Sequence, residues 1–573
     1  MRFRKRYLVA VAIVFVMAFL KFRVGFDNFV NVDEFRGADI QSGILYPMIA
    51  QSINRNKINI VLNGKSYTND VDGVYMDEQL NIMVPLRALS ESLHCSAHFY
   101  GDKLIILQGN RKIEMEADSN VMKFNDTEVT ISSSFAEEMG EIFVPLQPLM
   151  DRLSFSLKWD QEKSELIGYT YQNADLLPSK FDLREYMRTT AVRDQGDHGT
   201  CWAFAALSSL SSSLLPEEDI VFSPDHMSLR NAFSSDQDKG GEYTMGVAYL
   251  TSWMGPVYET DDPYGDGMSP NGLTAAKHVQ EIQFIESGDV NDIKEAVFIY
   301  GGVQASIYMK SSSDAYYNRS ECAYYYSGDN AVNHDIVIVG WDDDFPASAF
   351  PTAPEGNGAF ICQNSWGSSF GMGGFFYVSY YDTKIKERCI SYTKVEDKDN
   401  YDAIYQSDLC GFSGRLGYNR SSLYAANVYT STHDEYLSAA GFYATGENTS
   451  YELYIVTPFD SVDSLGEGAG MLAASGKLDR AGYYTVKFSQ MVQIKAGTKF
   501  AIILKIDTPG ATRPLAVEYA DENSDFNIDL LDGESYVSAN GVKWEHAEEV
   551  QKCNVCLKVY TNYRRRGAGW KKK

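Results

Sequence analysis

One cysteine, Cys201, ends a glycine-bearing approach, Gln195-Gly196-Asp197-His198-Gly199-Thr200, and opens a run with apolar residues at Trp202, Ala206, Leu210 and Leu214. That spacing is helical. It puts the Cys201 sulfur at a helix N-terminus, where free amide donors and the helix dipole favour the thiolate. A nucleophilic thiolate needs a base and proton donor. His334 offers one, because it begins the run Asp335-Ile336-Val337-Ile338-Val339-Gly340-Trp341, which reads as a buried strand. A second strand, Ala359-Phe360-Ile361-Cys362, leads into Gln363-Asn364-Ser365-Trp366-Gly367. If the two strands pair, the Asn364 amide oxygen accepts the imidazole N–H and fixes its tautomer. Trp366 would then shield that hydrogen bond from water. The chemistry expected is attack of a thiolate on an amide carbonyl.

These stretches resemble the papain-like cysteine peptidases over roughly 215 residues, with the nucleophile, histidine and asparagine in the family's order. Leu177-Pro178-Ser179-Lys180-Phe181-Asp182 looks like the start of a mature peptidase of that family. The resemblance implies that Gln195 supplies an oxyanion donor with the Cys201 backbone N–H. It also implies that the backbone of Gly240 and Gly241 binds an extended substrate, and that Trp202 and Trp366 support the site. Two departures stand out. The family's usual cysteine three residues before the nucleophile is His198 here, and its disulfide partner near the glycine pair is replaced by Asp238-Lys239. No long charged helix of the inhibitory-propeptide kind precedes the domain.

Residues 58–170 carry an internal repeat instead. Val84-Pro85-Leu86-Arg87-Ala88-Leu89 recurs as Val144-Pro145-Leu146-Gln147-Pro148-Leu149, and the pairs Leu93/Leu153 and Phe99/Trp159 keep the same offset. This is similar to the duplicated copper amine oxidase N-terminal-like module. His94 and His98 stand four apart, but the strand-like stretch around Phe99 argues against a shared metal. The peptidase domain is expected over 175–396 and, having its own core, is expected to fold alone. Residues 397–562 alternate short β-rich runs with turns, among them Leu453–Val456, Tyr484–Phe488 and Phe500–Leu504, and predict a β-sandwich. Tyr401–Gln406 and Ala440–Tyr443 resemble a lectin-like domain. Cys553 and Cys556 read as a local disulfide or two free thiols, not as a zinc site.

The fold class expected is therefore α+β. A two-lobed peptidase domain, one half helical and one β-rich, is flanked by an α+β repeat module and a C-terminal sandwich. At the N-terminus, Arg2, Arg4, Lys5 and Arg6 precede an apolar run from Tyr7 to Leu20, shorter than the roughly 20 residues of a bilayer span. Residues 1–26 read as a signal peptide or signal anchor, 27–57 as a linker, and 563–573 as a basic tail. Localisation is expected to be extracellular or at the cell surface, with membrane attachment if the N-terminal segment stays on. A net charge of −26 excludes nucleic acid as a partner. The partner expected is a peptide or protein substrate, with a cell-envelope surface or glycan for the C-terminal domain; neither cofactor nor metal enters the reading. Two other functions share these residues: a surface-binding protein with a non-catalytic peptidase scaffold, and an acyl transferase.

Overall fold

The computed structural model describes residues 58–563, apart from 69–71, 139, 151, 161–162, 172–175, 234–235, 467, 520–527 and 532–533. The N-terminal segment 1–26, the linker 27–57 and the tail from 564 lie outside the described residues. Helix makes up 15% and strand 41%, so the fold is α+β. Among the described residues no helix is long and apolar enough to cross a membrane.

The repeat is visible in the backbone. Each Val-Pro pair ends a strand, Ile82–Pro85 and Glu141–Pro145, and a short helix follows, Leu86–Leu93 and Leu146–Met150. The two strands pair antiparallel with Val84 opposite Val144, which places the equivalent residues of the two copies face to face. The chain divides into two compact units, and the division cuts the repeat. One unit holds residues up to Leu93, 118–121 and 130–174; the other takes His94–Ala117, Met122–Val129 and everything from Asp175 on. The five-stranded meander begun by Ser96–Tyr100 and Lys103–Gln108 therefore lies in the larger unit for most of its length. Ile105 and Leu107 share a core there with Phe181, Leu183 and Phe298. His98 stacks on Tyr186 at 4.4 Å, and His94 bonds Glu295, so the two histidines have separate partners.

Within the larger unit, the helix Cys201–Leu214 packs on a long antiparallel sheet that includes His334–Asp342, Val303–Ile307 and Cys389–Asp397. Trp202, Ala206 and Leu210 are buried on one face of the helix, as the spacing predicts. The sheet does not stop at the expected boundary near 396. Lys277–Ile285 pairs on one side with Cys389–Asp397 and on the other with Ala481–Ile494, with Glu281 opposite Tyr484. From there the path runs through Glu435–Ala444 and Leu557–Asn562. That far end faces a six-stranded sheet containing Thr449–Val456 and Lys499–Asp507 across a core of Leu423, Phe442, Leu453, Phe500 and Leu504. This is a sandwich in the sense of two sheets packed face to face. Trp202 and Ala206 share one apolar cluster with Tyr443, Tyr483 and Cys556, so the C-terminal region completes the core under the helix. Cys553 and Cys556 are both buried and not joined by a disulfide.

Candidate active site

Cys201 is the first residue of its helix, with Thr200 at the cap, and its side chain is half-buried. The antiparallel register of the two predicted strands places Val337 opposite Gln363, which brings the start of one strand to the end of the other. His334 and Asn364 meet there. His334 Nε2–H donates to Asn364 Oδ1 at 2.8 Å, and the same oxygen accepts the Ser365 backbone N–H at 2.8 Å. The second bond fixes which way the amide points, and the first fixes the histidine tautomer, leaving Nδ1 as the basic nitrogen. Trp366 stacks on the His334 ring at 4.5 Å, and His334 and Asn364 are both buried. A hydrogen bond sheltered in this way is stronger than one exposed to water.

Gln195 is also buried and is held on three sides. Its backbone N–H donates to Ser365 O at 2.8 Å, its Oε1 accepts from Ser365 Oγ at 2.6 Å, and its Nε2 donates to His198 O at 2.7 Å. One Nε2–H therefore remains for another acceptor. The Tyr264 hydroxyl ties this loop to the helix cap: it donates to Gln195 O at 2.8 Å and lies 2.7 Å from Thr200 Oγ1. Gly240 and Gly241 follow the one-turn helix Gln237–Lys239. A side chain at Gly241 would sit 2.4 Å from Trp202 Nε1, and one at Gly199 would sit 2.7 Å from Gly240 Cα. Only glycines let these backbones approach so closely. Where a disulfide would join the two loops in the resembled family, His198 Nδ1 and Asp238 Oδ1 lie 2.8 Å apart.

Electrostatics here oppose ionising either group singly. Burial pushes the Cys201 thiol up to about 11 and the nearby Asp335 carboxylate adds to the rise, while backbone N–H groups of Asp335 and Trp202 work the other way. Burial pulls His334 down to about 4, against the Asn364 bond, which favours the charged ring. If the two groups share a proton, thiolate and imidazolium form jointly, as it passes from sulfur to ring. Asp335 is a group that sequence reasoning missed. It is buried, accepts from Gln304 Nε2 at 2.8 Å and Ser306 Oγ at 2.6 Å, and its own carboxyl is raised by burial. A carboxylate at the head of an otherwise apolar run was the available signal. Ser365 and Tyr264 were missed as well, and nothing local marks Tyr264, which is 69 positions from Gln195.

Three family comparisons cover most of the chain. Residues 177–394 match the papain family cysteine protease, 404–561 the lectin like domain, and 61–167 the copper amine oxidase N-terminal domain. The chain is 25% identical over 228 residues to cathepsin L of Sarcophaga peregrina, spanning 38% of this chain and 63% of that one. It is 27% identical over 214 residues to cathepsin K of Mus musculus, spanning 36% and 61%. It thus covers about three fifths of the length of these curated relatives. Among solved structures, the clostridial cysteine protease Cwp84 after propeptide cleavage superposes with a TM-score of 0.61 at 26% identity, over 67% of this chain and 99% of that one. The cysteine protease and lectin-like domains of Cwp84, described as a surface layer associated protein of Clostridium difficile, give 0.59 at 25% identity, over 69% and 90%. The likeness extends through the peptidase and the sandwich together.

Proposed function

We propose that this chain, whose central domain is of the papain cysteine protease family, is an endopeptidase acting through Cys201, His334 and Asn364. The observation that carries the reading is the oriented His334–Asn364 pair, sheltered under Trp366, together with a cysteine at a helix start whose sulfur accepts from the backbone N–H of Asp335, the residue after His334. Cys201 Sγ attacks the scissile carbonyl carbon as its proton passes to His334 Nδ1. The carbonyl electron pair moves onto oxygen, where the free Gln195 Nε2–H and the Cys201 backbone N–H receive the charge. Collapse of the adduct breaks the C–N bond, and His334 gives its proton to the departing amine. Water then attacks the thioester with His334 taking a proton, and the thiolate leaves as the second adduct collapses. The backbone at Gly240 and Gly241 lines the path for an extended substrate.

The partner is a peptide or protein substrate, and the place of action is outside the cytoplasm or on the cell surface, as the basic-apolar N-terminus suggests. The lectin-like region is the part proposed to meet an envelope surface or glycan. The test is covalent. The full chain is treated with a peptidyl epoxide, the modified residue is mapped by mass spectrometry, and peptide hydrolysis is followed in parallel. Labelling at Cys201 with loss of hydrolysis is expected. Hydrolysis that survives Cys201→Ala would overturn the assignment, and labelling without any hydrolysis of peptides would favour a scaffold or a transferase.

A further inference from the structure

A groove of about 540 Å³ opens beside the glycine pair, and its two walls come from different regions of the chain. Glu242 and Tyr243, which follow Gly241 directly, form one wall with Phe284 and Arg388. The opposite wall is the segment Cys410–Arg415, which lies within the lectin-like region and presents Phe412 and Arg415. That segment is held in place. Gly411 packs against Ala248 of the helix Tyr243–Thr251, where an added Cβ would lie 3.1 Å from the Ala248 Cβ. Arg415 sits on a short strand, opposite Ala516 of Leu515–Tyr519. A wall fixed in this way is pre-organised, so its contacts cost little ordering on binding.

The two guanidinium groups in the groove differ. Arg388 is satisfied: its Nε reaches Glu286 Oε1 at 2.6 Å and its guanidinium lies 4.8 Å from the Tyr243 ring centre. Arg415 is exposed and lies 5.6 Å from the Phe412 ring, and among the described residues no carboxylate stands within salt-bridge distance of it. Arg388 donates to the half-buried Tyr243 hydroxyl, and the charge of Arg415 is felt there as well. Glu242 follows Gly241 in the chain, and its charge is felt at Asp335. The polarity therefore runs from acid near the glycine pair to an unmatched cation on the far wall.

We propose that the lectin-like region completes the substrate cleft through Cys410–Arg415, and that Arg415 selects substrates carrying an acidic side chain on the amino-terminal side of the scissile bond. An extended peptide lying along Gly240–Gly241 sends alternate side chains to opposite faces, so one of them enters the groove. A carboxylate there meets Arg415 in a charge-assisted, two-pronged hydrogen bond, which an amide of the same shape cannot match. Phe412 and Tyr243 flank the aliphatic stem of that side chain. The inference rests on the peptidase reading above.

The experiment is a positional-scanning peptide library with Asp, Glu, Asn, Gln, Lys and Arg varied at each of the four positions before the cleaved bond, run on the full chain and on Arg415→Gln and Arg415→Glu. At one position the wild type should hydrolyse acidic peptides with kcat/KM on the order of tenfold above their amide isosteres. Arg415→Gln should erase that ratio, and Arg415→Glu should turn the preference to Lys and Arg, most of the change lying in KM. Equal use of acid and amide at every position would overturn the proposal, as would a ratio that Arg415→Glu leaves unchanged. Those failures leave amide peptides cleaved. Absence of all cleavage together with an unlabelled Cys201 would instead overturn the peptidase reading and this inference with it, so the two failures are distinguishable.

Discussion

His198 Nδ1 and Asp238 Oδ1 meet at 2.8 Å, joining the loop that approaches the nucleophile to the loop that carries Gly240 and Gly241. The pair bridges the two segments that a disulfide joins in the resembled family, and it does so on the surface, with side chains 43% and 77% exposed. An exposed side-chain contact of this kind contributes about 0–1 kcal/mol. Asp238→Ala should therefore lower thermal stability only slightly. Its larger effect should be on substrate binding, a rise in KM of roughly two- to fivefold with kcat nearly kept, because the glycine pair loses a tether. Steady-state kinetics of the variant against wild type check this, and an unchanged KM would show that the contact does not position the glycine pair.

Gln195 donates one Nε2–H to His198 O, which leaves one for another acceptor. Gln195→Ala should reduce kcat on the order of 10²–10³-fold, the usual cost of losing one oxyanion donor. The backbone bond from Gln195 N to Ser365 O survives the change, so the loop should hold its position. A fall smaller than about threefold would remove Gln195 from the mechanism.

Much of this site was legible because its signals are local. The helical run after Cys201 and the β-branched run after His334 announce their own elements, and the strand before Asn364 does the same. The register that joins His334 to Asn364 needed only the assumption that neighbouring strands pair. What escaped was long-range. Nothing near Glu281 indicates that it will face Tyr484, and nothing near Ile105 marks it for a core with Phe181. The repeat was visible as sequence, yet its first copy is divided between two compact units because Ile105 and Leu107 bury against residues far along the chain. Hydrophobic pattern says that a face is buried but not against what.

Alkylation of Cys201 by iodoacetamide reads the joint ionisation directly. In His334→Ala no imidazolium can form, so the thiol is left with burial and Asp335 and should react with a midpoint near about 11. The wild-type profile should lie at clearly lower pH, since an adjacent imidazolium stabilises the thiolate. Coincident profiles would mean that the two residues do not share a proton.

Asp335 acts on the same sulfur with a definite sign. Its negative charge raises the Cys201 pKa, so neutralising it should lower that pKa and enlarge the thiolate fraction at any given pH. Asp335→Asn retains an acceptor for Gln304 and can donate to the Ser306 hydroxyl, which keeps the strand register. Alkylation at neutral pH should speed up by about two- to tenfold. Slower labelling would show that Asp335 positions the site more than it repels the thiolate.

The continuous sheet makes its own prediction about the boundary near residue 396. A fragment of residues 176–396 retains every proposed catalytic residue, and the sequence alone expects it to fold. In the structure, Lys277–Ile285 would lose its partner Ala481–Ile494, leaving a long strand edge open to other chains. The cluster that buries Trp202 and Ala206 would lose Tyr443, Tyr483 and Cys556, opening apolar surface directly under the nucleophile's helix. Arg480 would no longer reach Asp292 at 2.9 Å. The fragment should therefore aggregate or remain partly unfolded, whereas 58–562, which keeps Ile105 and Leu107 in the core with Phe181, should be soluble and label at Cys201. Gel filtration and epoxide labelling of the two fragments check this. A monomeric, fully active 176–396 would show that the sandwich is dispensable for the catalytic fold, and that the shared sheet contributes little to its stability.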